Sequence, residues 1–575
     1  MRGGQVISGL RYVPSIKLSV LRKVFSLMGR REKMVLAMLL VLGVSSLLYT
    51  VSQAYARVTM PVPTTGGTYR EGIIGQPRFI NPLLATSDTD DSIVKLVFAG
   101  LYKYDGYGQI EPDLAEDMPA ISPDGKEYTV KIRGNAKWHN GLPVNADDVI
   151  FTIKTLQDQA YNSPRRAGWQ STTAEKIDNN TVVFKIKGAS GPFIHNLTLP
   201  IISKNVWEKV SPQDFVLSQS NIEAIGSGPY VIKEVRKTPE GSVQSMTLQS
   251  FATYHHGQAF IDTIKLNFYE NVEGVLNAIH GKQIDGFGFS PFEQNVRLNE
   301  ANNEFAITQV PLPQYQAVFF NTSVKLFSDV AVRRAFLKAT DINTIIDTVY
   351  NGQGTPINSP ILPEQVAGIP EPTIMYDVEA AKAELDKAGW VFDPETNARS
   401  KRGTQLAFTL ATNNFSLNAR TAELLAAQWQ QIGAKVTLNI LPTRELTENL
   451  IRPRAFDALL FAQKLGADPD PFVFWHSSQV KNPGLNLSGY ANTTADKLMS
   501  EARATTDKNV RDEKYRQLHD IINLDIPAIF LVENVYSYAM DQSVQGLSMH
   551  VLPDTTMRFY DVNNWYIDTK RVLKK

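Results

Sequence analysis

An uncharged apolar run of 17 residues, from Met34 to Thr50, sets the strongest limit on how this chain of 575 residues can be arranged. Weakly polar residues extend the run to Ala56, which makes it just long enough to cross the hydrocarbon core of a bilayer. Eight Lys and Arg residues and a single acid, Glu32, precede it. This basic flank predicts a cytoplasmic tail over residues 1–33 and places everything after Arg57 outside the membrane.

Residues 34–56 have two interpretations. Ala54-Tyr55-Ala56 is typical of a signal-peptide cleavage site, which would make the run a removable signal segment. The long polar segment before the run and the length of the run instead favour an uncleaved transmembrane anchor, followed by a Pro-, Thr- and Gly-rich linker over residues 57–67. The chain has no Cys, so lipid attachment at Cys is excluded, and an anchor helix would supply the tether.

Composition excludes several functional classes. Without Cys the chain cannot form disulfides, iron–sulfur clusters, thiolate zinc sites or a Cys nucleophile. Acidic and basic residues balance at 58 each, but residues 1–33 carry a net charge of +7, so the remainder is near −7. That sign gives no support for a nucleic-acid-binding surface. The length of 575 residues predicts several domains.

Residues 114–158 contain the most informative local pattern. Pro123-Asp124-Gly125-Lys126 has turn chemistry, and Tyr128–Arg133 alternates with a period of two residues, which predicts a half-buried strand. Asn145 is a good N-cap for a helix. The Asp147-Asp148 pair would lie in the first turn of that helix, where carboxylates suit the positive end of the helix dipole.

The same stretch resembles the signature of the family-5 extracytoplasmic solute-binding proteins of ABC importers, which include oligopeptide, dipeptide and nickel-chelate binders. The signature is matched at fixed spacing by Leu114-Ala115-Glu116, Asp124-Gly125-Lys126-Glu127-Tyr128-Thr129, Trp138-His139-Asn140-Gly141 and Ala146-Asp147-Asp148-Val149-Ile150-Phe151. Met118 stands where an aromatic residue is usual. Further matches at Ile225–Val231, Phe327–Phe336 and Ala380–Trp390 extend the resemblance over roughly residues 68–560.

The resemblance implies an α/β, two-lobed periplasmic-binding-protein-like fold with an extra subdomain, preceded by one N-terminal transmembrane helix. The strand–helix rhythm of the chain also indicates α/β layers, and an amphipathic helix is predicted over Ser92–Leu101. The implied boundaries are residues 68–110, 225–315 and 528–575 for lobe I, 111–224 for the extra subdomain, and 316–527 for lobe II.

The best candidate for a binding site is the loop Gly466-Ala467-Asp468-Pro469-Asp470-Pro471. The resemblance implies a role for Asp468, because in peptide-binding relatives a carboxylate at this position holds the α-ammonium of the ligand through a charge-assisted hydrogen bond. Asp470 is expected in a supporting position. The chain departs from the family pattern in that Leu465 replaces a Trp and the loop is one residue shorter. The alternative is that both carboxylates are only turn residues before prolines.

Three aromatic residues, Tyr315, Phe319 and Trp475, flank the expected strand crossings and are predicted to line the cleft. The alternative is that they belong to the core, which is the commoner place for an aromatic side chain.

Other patterns predict no chemistry. No Lys follows Gly226-Ser227-Gly228 at phosphate-loop spacing, so a tight turn that feeds a strand is predicted. His255 and His256 would point to opposite faces of a strand, and the other His residues are scattered, so neither a metal site nor a cofactor is predicted. No Gly-x-Ser-x-Gly elbow or Ser–His spacing suggests a catalytic residue.

The resemblance implies a receptor that captures a small solute, most simply a short peptide, between two closing lobes and delivers it to ABC permease subunits. The chain is expected to be a monomer in the cell membrane, with its N-terminus cytoplasmic and its binding domain outside, and without a nucleic-acid partner. A second hypothesis is a membrane-anchored surface scaffold or cell-wall factor that kept the fold but lost transport. An extracellular peptidase is a more distant alternative.

Overall fold

The computed structural model describes residues 25–289, 305–373 and 375–574. Most of the expected basic tail, residues 1–24, therefore lies outside the described residues, as does a part of the expected lobe I, residues 290–304. The chain forms two compact units, one of Met1–Thr64 with Thr569–Lys575 and one of Thr65–Asp568.

The described part of the smaller unit includes one long helix and a pair of strands. The helix spans Arg30–Val58, and none of its residues is buried. By length and composition it is apolar enough to cross a membrane. Strand β1 (Thr59–Pro63) follows directly and pairs antiparallel with the C-terminal strand, Thr569–Leu573. Part of the expected linker, residues 57–67, is therefore a strand whose backbone groups are hydrogen-bonded to the end of the chain.

The larger unit alternates strands and helices. Among the described residues, its strands, followed by the C-terminal strand of the smaller unit, are β2 (Gly66–Ile74), β3 (Tyr102–Tyr104), β4 (Ile110–Pro112), β5 (Ala120–Ile121), β6 (Glu127–Lys131), β7 (Thr172–Lys176), β8 (Thr181–Ile186), β9 (Tyr230–Lys237), β10 (Val243–Ser250), β11 (Ile261–Tyr269), β12 (Gly286–Phe289), β13 (Phe305–Phe320), β14 (Thr355–Pro356), β15 (Val391–Asp393), β16 (Ala398–Lys401), β17 (Thr404–Gln405), β18 (Ala407–Asn413), β19 (Lys435–Leu441), β20 (Ala458–Lys464), β21 (Ala528–Asp541) and β22 (Thr569–Leu573).

The α-helices of the larger unit include nine of eight residues or more within the described ranges, namely Asp88–Val97, Ala146–Gln157, Val272–His280, Val330–Lys338, Ile342–Val349, Val378–Lys387, Ser416–Gln430, Thr493–Arg503 and Lys508–Asp525. Shorter helical segments are Phe193–Asn196, Lys204–Trp207, Pro212–Phe215, Thr443–Leu446 and Phe472–Trp475. The helix predicted over Ser92–Leu101 begins earlier because the Ser87 side chain caps it by accepting the N–H of Asp90 at 3.1 Å.

One large sheet organises this unit. Its strand order is β19-β18-β20-β13-β21-β12-β2-β11-β10-β9, and β14 pairs with β21. Strands β13 and β21, of 16 and 14 residues, pair antiparallel from Phe305 to Phe319. Their register shifts between Pro311 and Tyr315, where a bulge with proline interrupts the ladder. The smaller sheets are β5-β6-β8-β7, β15-β16-β17 and β3-β4.

Apolar side chains form separate clusters on either side of that bulge. One cluster draws on residues 69–310 and 536–565 and includes Trp138 and Trp565. Two others draw on residues 315–532 and include Trp429 and Trp475. We call these the first half and the second half of the unit. Strands β13 and β21 run through both halves and therefore connect them.

The predicted strand and capped helix in residues 114–158 are confirmed as β6 and Ala146–Gln157. The Asn145 side chain accepts the N–H of Asp147 at 2.8 Å, and the Asp148 carboxylate accepts the N–H of Asn145 at 3.1 Å, which completes a capping box. The Trp138 indole also donates to Asp148 at 3.1 Å. These acids are therefore explained by folding.

His139 ties that segment to the Gly226-Ser227-Gly228 turn. Its Nδ1 accepts the N–H of Gly226 at 3.2 Å, so its Nε2 carries the proton that is donated to the Gly228 carbonyl at 3.0 Å. A Cβ on Gly226 would lie 1.9 Å from the carbonyl oxygen of Val97, at the end of the Asp88–Val97 helix. Close packing therefore explains the glycine, and the turn leads into β9 as predicted.

Candidate functional site

A cavity of about 360 Å³ opens between the two halves. Its volume falls in the range of small-ligand sites. The first half contributes Tyr107, Ile110, Tyr128 and His195 to its wall, and the second half contributes Gln365, Asp468 and Arg511. The wall therefore combines aromatic and aliphatic surface with a few charged groups, as a site for an amphipathic ligand requires.

Asp468 lies in this wall, where sequence reasoning placed the ligand. Its carboxylate accepts from Arg511 Nη2 at 2.7 and 2.9 Å, and its Oδ2 lies 3.0 Å from His195 Nε2. Burial alone would raise the pKa of Asp468, but His195 and Arg511 outweigh burial and lower it to about 2. Asp468 therefore stays ionised, and a ligand ammonium would share it with two protein partners.

His195 and Arg511 contact Asp468 in this wall, and the sequence analysis did not identify either of them. His195 lies in the Phe193–Asn196 segment, and its Nδ1 is 3.0 Å from the Tyr104 hydroxyl. Arg511 lies in the Lys508–Asp525 helix, and its buried Nε has no hydrogen-bond partner within the described part of the chain. Neither residue is near Asp468 in the sequence, and neither belongs to a motif, so only the tertiary fold identifies them.

Asp470 supports the loop. Its side chain is 8% exposed, and it lies 2.8 Å from Arg503 Nε. Its Oδ1 also accepts the N–H of Phe472 at 3.1 Å, while its own N–H donates to Asp468 at 2.9 Å. Burial raises the pKa of Asp470, and Arg503 opposes that rise. These contacts fix the backbone that carries Asp468.

The three aromatic residues predicted to line the cleft lie instead in the core of the second half. Tyr315, Phe319 and Trp475 are each 0% exposed and belong to one hydrophobic cluster. The Trp475 indole donates to the Tyr315 hydroxyl at 3.2 Å, and Tyr315 donates in turn to Gln463. Because they share that cluster with Tyr515, Leu518 and Ile522 of the Lys508–Asp525 helix, their side chains stabilise the fold and do not line the cavity.

Two carboxyl groups meet where β21 passes the bulge. Glu533 pairs with Tyr315 in the strand register and is 1% exposed, and its side-chain Oε2 has no hydrogen-bond partner among the residues that the structure describes. Burial, together with the carboxyl of Glu364, raises the pKa of Glu533 to about 10. Glu364 also lines the cavity. Glu533 is therefore protonated at neutral pH, at the point where the two halves connect.

A second cavity, of about 440 Å³, borders β2, β12 and the bulge. Two charged groups, Asp88 and Arg558, lie in its wall. The Nε of Arg558 donates to buried Glu71 at 2.9 Å. Tyr69 and Tyr538 donate to the same carboxylate at 2.6 and 2.8 Å, so this network holds β2 against β21. The Asp88 carboxylate accepts from the Thr555 hydroxyl at 2.8 Å.

The expectation for His255 and His256 is wrong. They lie in the turns between β10 and β11 rather than in a strand, so the alternation of strand side chains does not apply. Both imidazoles reach the carboxylate of Asp113. That cluster does not contribute to the wall of either cavity described above.

Comparisons with known proteins agree with this architecture. The family model for bacterial extracellular solute-binding proteins, family 5 Middle, matches residues 109–484. The oligopeptide-binding protein AppA of Bacillus subtilis (strain 168) is 28% identical over 553 residues, covering 94% of this chain and 99% of that protein. The dipeptide-binding protein of Escherichia coli (strain K12) is 25% identical over 505 residues, covering 82% and 90%.

A solved structure of a similar protein has the same fold. The structure of AppA from Bacillus subtilis in complex with a nonapeptide has a TM-score of 0.67 at 28% identity, and the match covers 89% of this chain and 100% of that chain. This similarity confirms the predicted α/β solute-binding fold. Because the family match spans more than half of the sequence, the chain belongs to the bacterial extracellular solute-binding proteins of family 5.

Proposed function

We propose that this chain is the receptor of an ABC importer, which captures a short peptide outside the membrane and delivers it to the permease. One observation carries the proposal, namely a cavity whose walls come from both halves of a unit connected by β13 and β21. Closure over a ligand that contacts both walls is then favoured by those contacts. The peptide ligand is supported by AppA of Bacillus subtilis, whose solved complex contains a nonapeptide.

The proposed lobes keep the boundaries expected from the sequence, with residues 68–110, 225–315 and 528–575 in lobe I, 111–224 in the extra subdomain and 316–527 in lobe II. The separate apolar clusters on either side of the bulge support two lobes. Trp138 of the proposed subdomain shares a cluster with Trp565 of lobe I, so these two parts pack together.

Within the site, Asp468 is proposed to hold the α-ammonium of the peptide. A carboxylate that stays ionised in a buried wall forms a strong charge-assisted hydrogen bond with such a group. Arg511 and His195 fix its orientation through the contacts given above. Asp470 is proposed to act through the loop backbone rather than by touching ligand.

The test is calorimetry on the full chain in detergent micelles, with free and N-acetylated forms of the same short peptides. Wild type is expected to prefer the free peptide by about tenfold or more, because a hydrogen bond to a charged group contributes about 1.5–3 kcal/mol. In Asp468→Asn that preference should disappear. The control is Asp347→Asn, which changes an exposed acid in the Ile342–Val349 helix and should keep the preference. A preference that survives in Asp468→Asn would place the ammonium elsewhere, and no peptide binding by wild type would overturn the function.

We propose further that residues 34–56 stay attached as a single-pass anchor, with the N-terminus cytoplasmic. Ala54-Tyr55-Ala56 lies inside the Arg30–Val58 helix, whose hydrogen-bonded backbone is a poorer protease substrate than an exposed loop. Mass spectrometry of the protein from the membrane fraction should then find peptides from residues 1–33. A mature N-terminus at Arg57 would show instead that the segment is a signal peptide.

A further inference from the structure

Asp113, His255 and His256 converge at a point outside both cavities. The Oδ1 of Asp113 lies 2.8 Å from His255 Nε2 and 3.2 Å from His256 Nε2. The side chains of Asp113 and His255 are 6% and 0% exposed, whereas that of His256 is 23% exposed. A buried carboxylate thus meets two imidazoles, one of which opens to solvent and offers a path of entry.

The surrounding backbone holds these side chains in place. The N–H of Asp113 donates to the carbonyl of Leu101 at 3.0 Å, and the Asp113 carbonyl accepts from Arg133 Nε at 2.8 Å. The His255 carbonyl accepts from Asn135 at 3.2 Å. Because these contacts fix both backbone segments, the ligand atoms are positioned without a contribution from an ion.

We propose that Asp113, His255 and His256 bind a divalent transition-metal ion, and that Zn²⁺ fits this set best. Two imidazole nitrogens and one carboxylate oxygen are a ligand set typical of zinc. At Zn–N distances of 2.0–2.1 Å, the ligand atoms of a tetrahedral site lie roughly 3.3 Å apart. The two N–O separations of 2.8 and 3.2 Å therefore need only a small expansion to admit the ion.

A cavity of about 50 Å³, enough space for a water molecule, borders the Asp113 side of the cluster. Lys103 lies in the same wall, but its charge is balanced by Glu111 at a distance of 3.2 Å. With a single carboxylate among the three ligands, the site should discriminate against Ca²⁺ and Mg²⁺, which require more oxygen ligands.

Binding would connect distant parts of the first half. Asp113 and His255 are 142 residues apart in the sequence. An ion that binds only the folded chain stabilises it, and the gain grows with the logarithm of the ratio of ion concentration to dissociation constant. The proposed role is therefore a metal crosslink that stabilises the receptor outside the cell, separate from capture of the solute.

The test uses the untagged full chain in detergent, stripped with a chelator and titrated with Zn²⁺ by calorimetry and thermal unfolding. One Zn²⁺ per chain should bind and raise the unfolding midpoint, and bound Co²⁺ should show visible absorption bands of a tetrahedral site. His256→Gln removes one ligand at an exposed position and should weaken Zn²⁺ at least about tenfold. His280→Gln, at another exposed position, should leave the affinity unchanged.

Two results would overturn the proposal, namely no saturable Zn²⁺ binding by wild type, or equal affinity in wild type and His256→Gln. His256→Gln is preferred to a change at buried Asp113, which also contacts His255 and the segment around Arg133. Peptide affinity should be equal in wild type and His256→Gln, because none of the three ligands lies in the wall of the larger cavities.

Discussion

At the scale of single residues, the Glu533 side chain is held far from its ordinary protonation state. A buried Glu with a pKa near 10, against an ordinary value of 4.5, carries a proton in the folded chain that the unfolded chain releases above pH 4.5. The folded state then binds more protons than the unfolded state between those values. Stability from this group is therefore greatest in acid and falls as pH rises from 4.5 towards 10.

Glu533→Gln should accordingly stabilise the chain at neutral and alkaline pH. A shift of one pKa unit corresponds to about 1.4 kcal/mol, so we expect a gain of at least that size at pH 8. Denaturant unfolding at pH 5 and pH 8 would measure it, and the variant should show a smaller difference between the two pH values than wild type. An equal pH dependence in both proteins would mean that Glu533 does not hold the proton.

At the scale of elements, His139 joins the family signature to the turn before β9. The variant His139→Ala removes the imidazole that accepts from the Gly226 N–H. A buried polar group without a partner lowers the free energy of unfolding by about 1–3 kcal/mol. Burial lowers the pKa of His139 to about 4, from an ordinary 6.5. Its contribution is therefore complete above pH 6.5 and is lost as pH falls towards 4.

Unfolding free energies of wild type and His139→Ala should thus differ most at pH 7 and converge near pH 4. His280→Ala removes a surface imidazole whose Nδ1 lies 2.8 Å from the Leu276 carbonyl of its own helix. It is the matched control and should change the unfolding free energy at pH 7 much less than His139→Ala. A difference that stays constant with pH would show that packing rather than the hydrogen bond matters at this position.

At the scale of the whole receptor unit, His195 of the first half and Asp468 of the second half meet in the wall of the cavity. The N–H of Gly191 also donates to the Arg503 carbonyl at 2.9 Å across the same gap. These contacts join the two halves across the cavity, so part of the free energy that holds the halves together comes from the protein itself. The apparent affinity for a ligand then rises with the fraction of chains in which the two halves are already joined.

His195→Gln should therefore favour an open unit. We expect about tenfold weaker peptide binding, since a charge-assisted hydrogen bond is worth roughly 1.5–3 kcal/mol, and a larger radius of gyration in ligand-free solution scattering. His280→Gln serves as control for the loss of an imidazole. Unchanged scattering together with unchanged affinity would rule out a role for this contact in closure.

The sequence by itself determined what depends on neighbours along the chain. Turn residues, the N-cap at Asn145 and the apolar run before Ala56 act over a few residues, and these elements lie where they were predicted. The spacing of the signature also identified the family, and the loop that carries Asp468 was found from it.

Only the tertiary structure decided which side chains meet. Asp468 meets His195 and Arg511, Asp113 meets two His residues 142 and 143 positions later, and Tyr315, Phe319 and Trp475 turn inward to the core. The physical reason is that local conformation is set by short-range sterics and hydrogen bonds, whereas burial and ion pairing depend on how the sheet brings distant segments together.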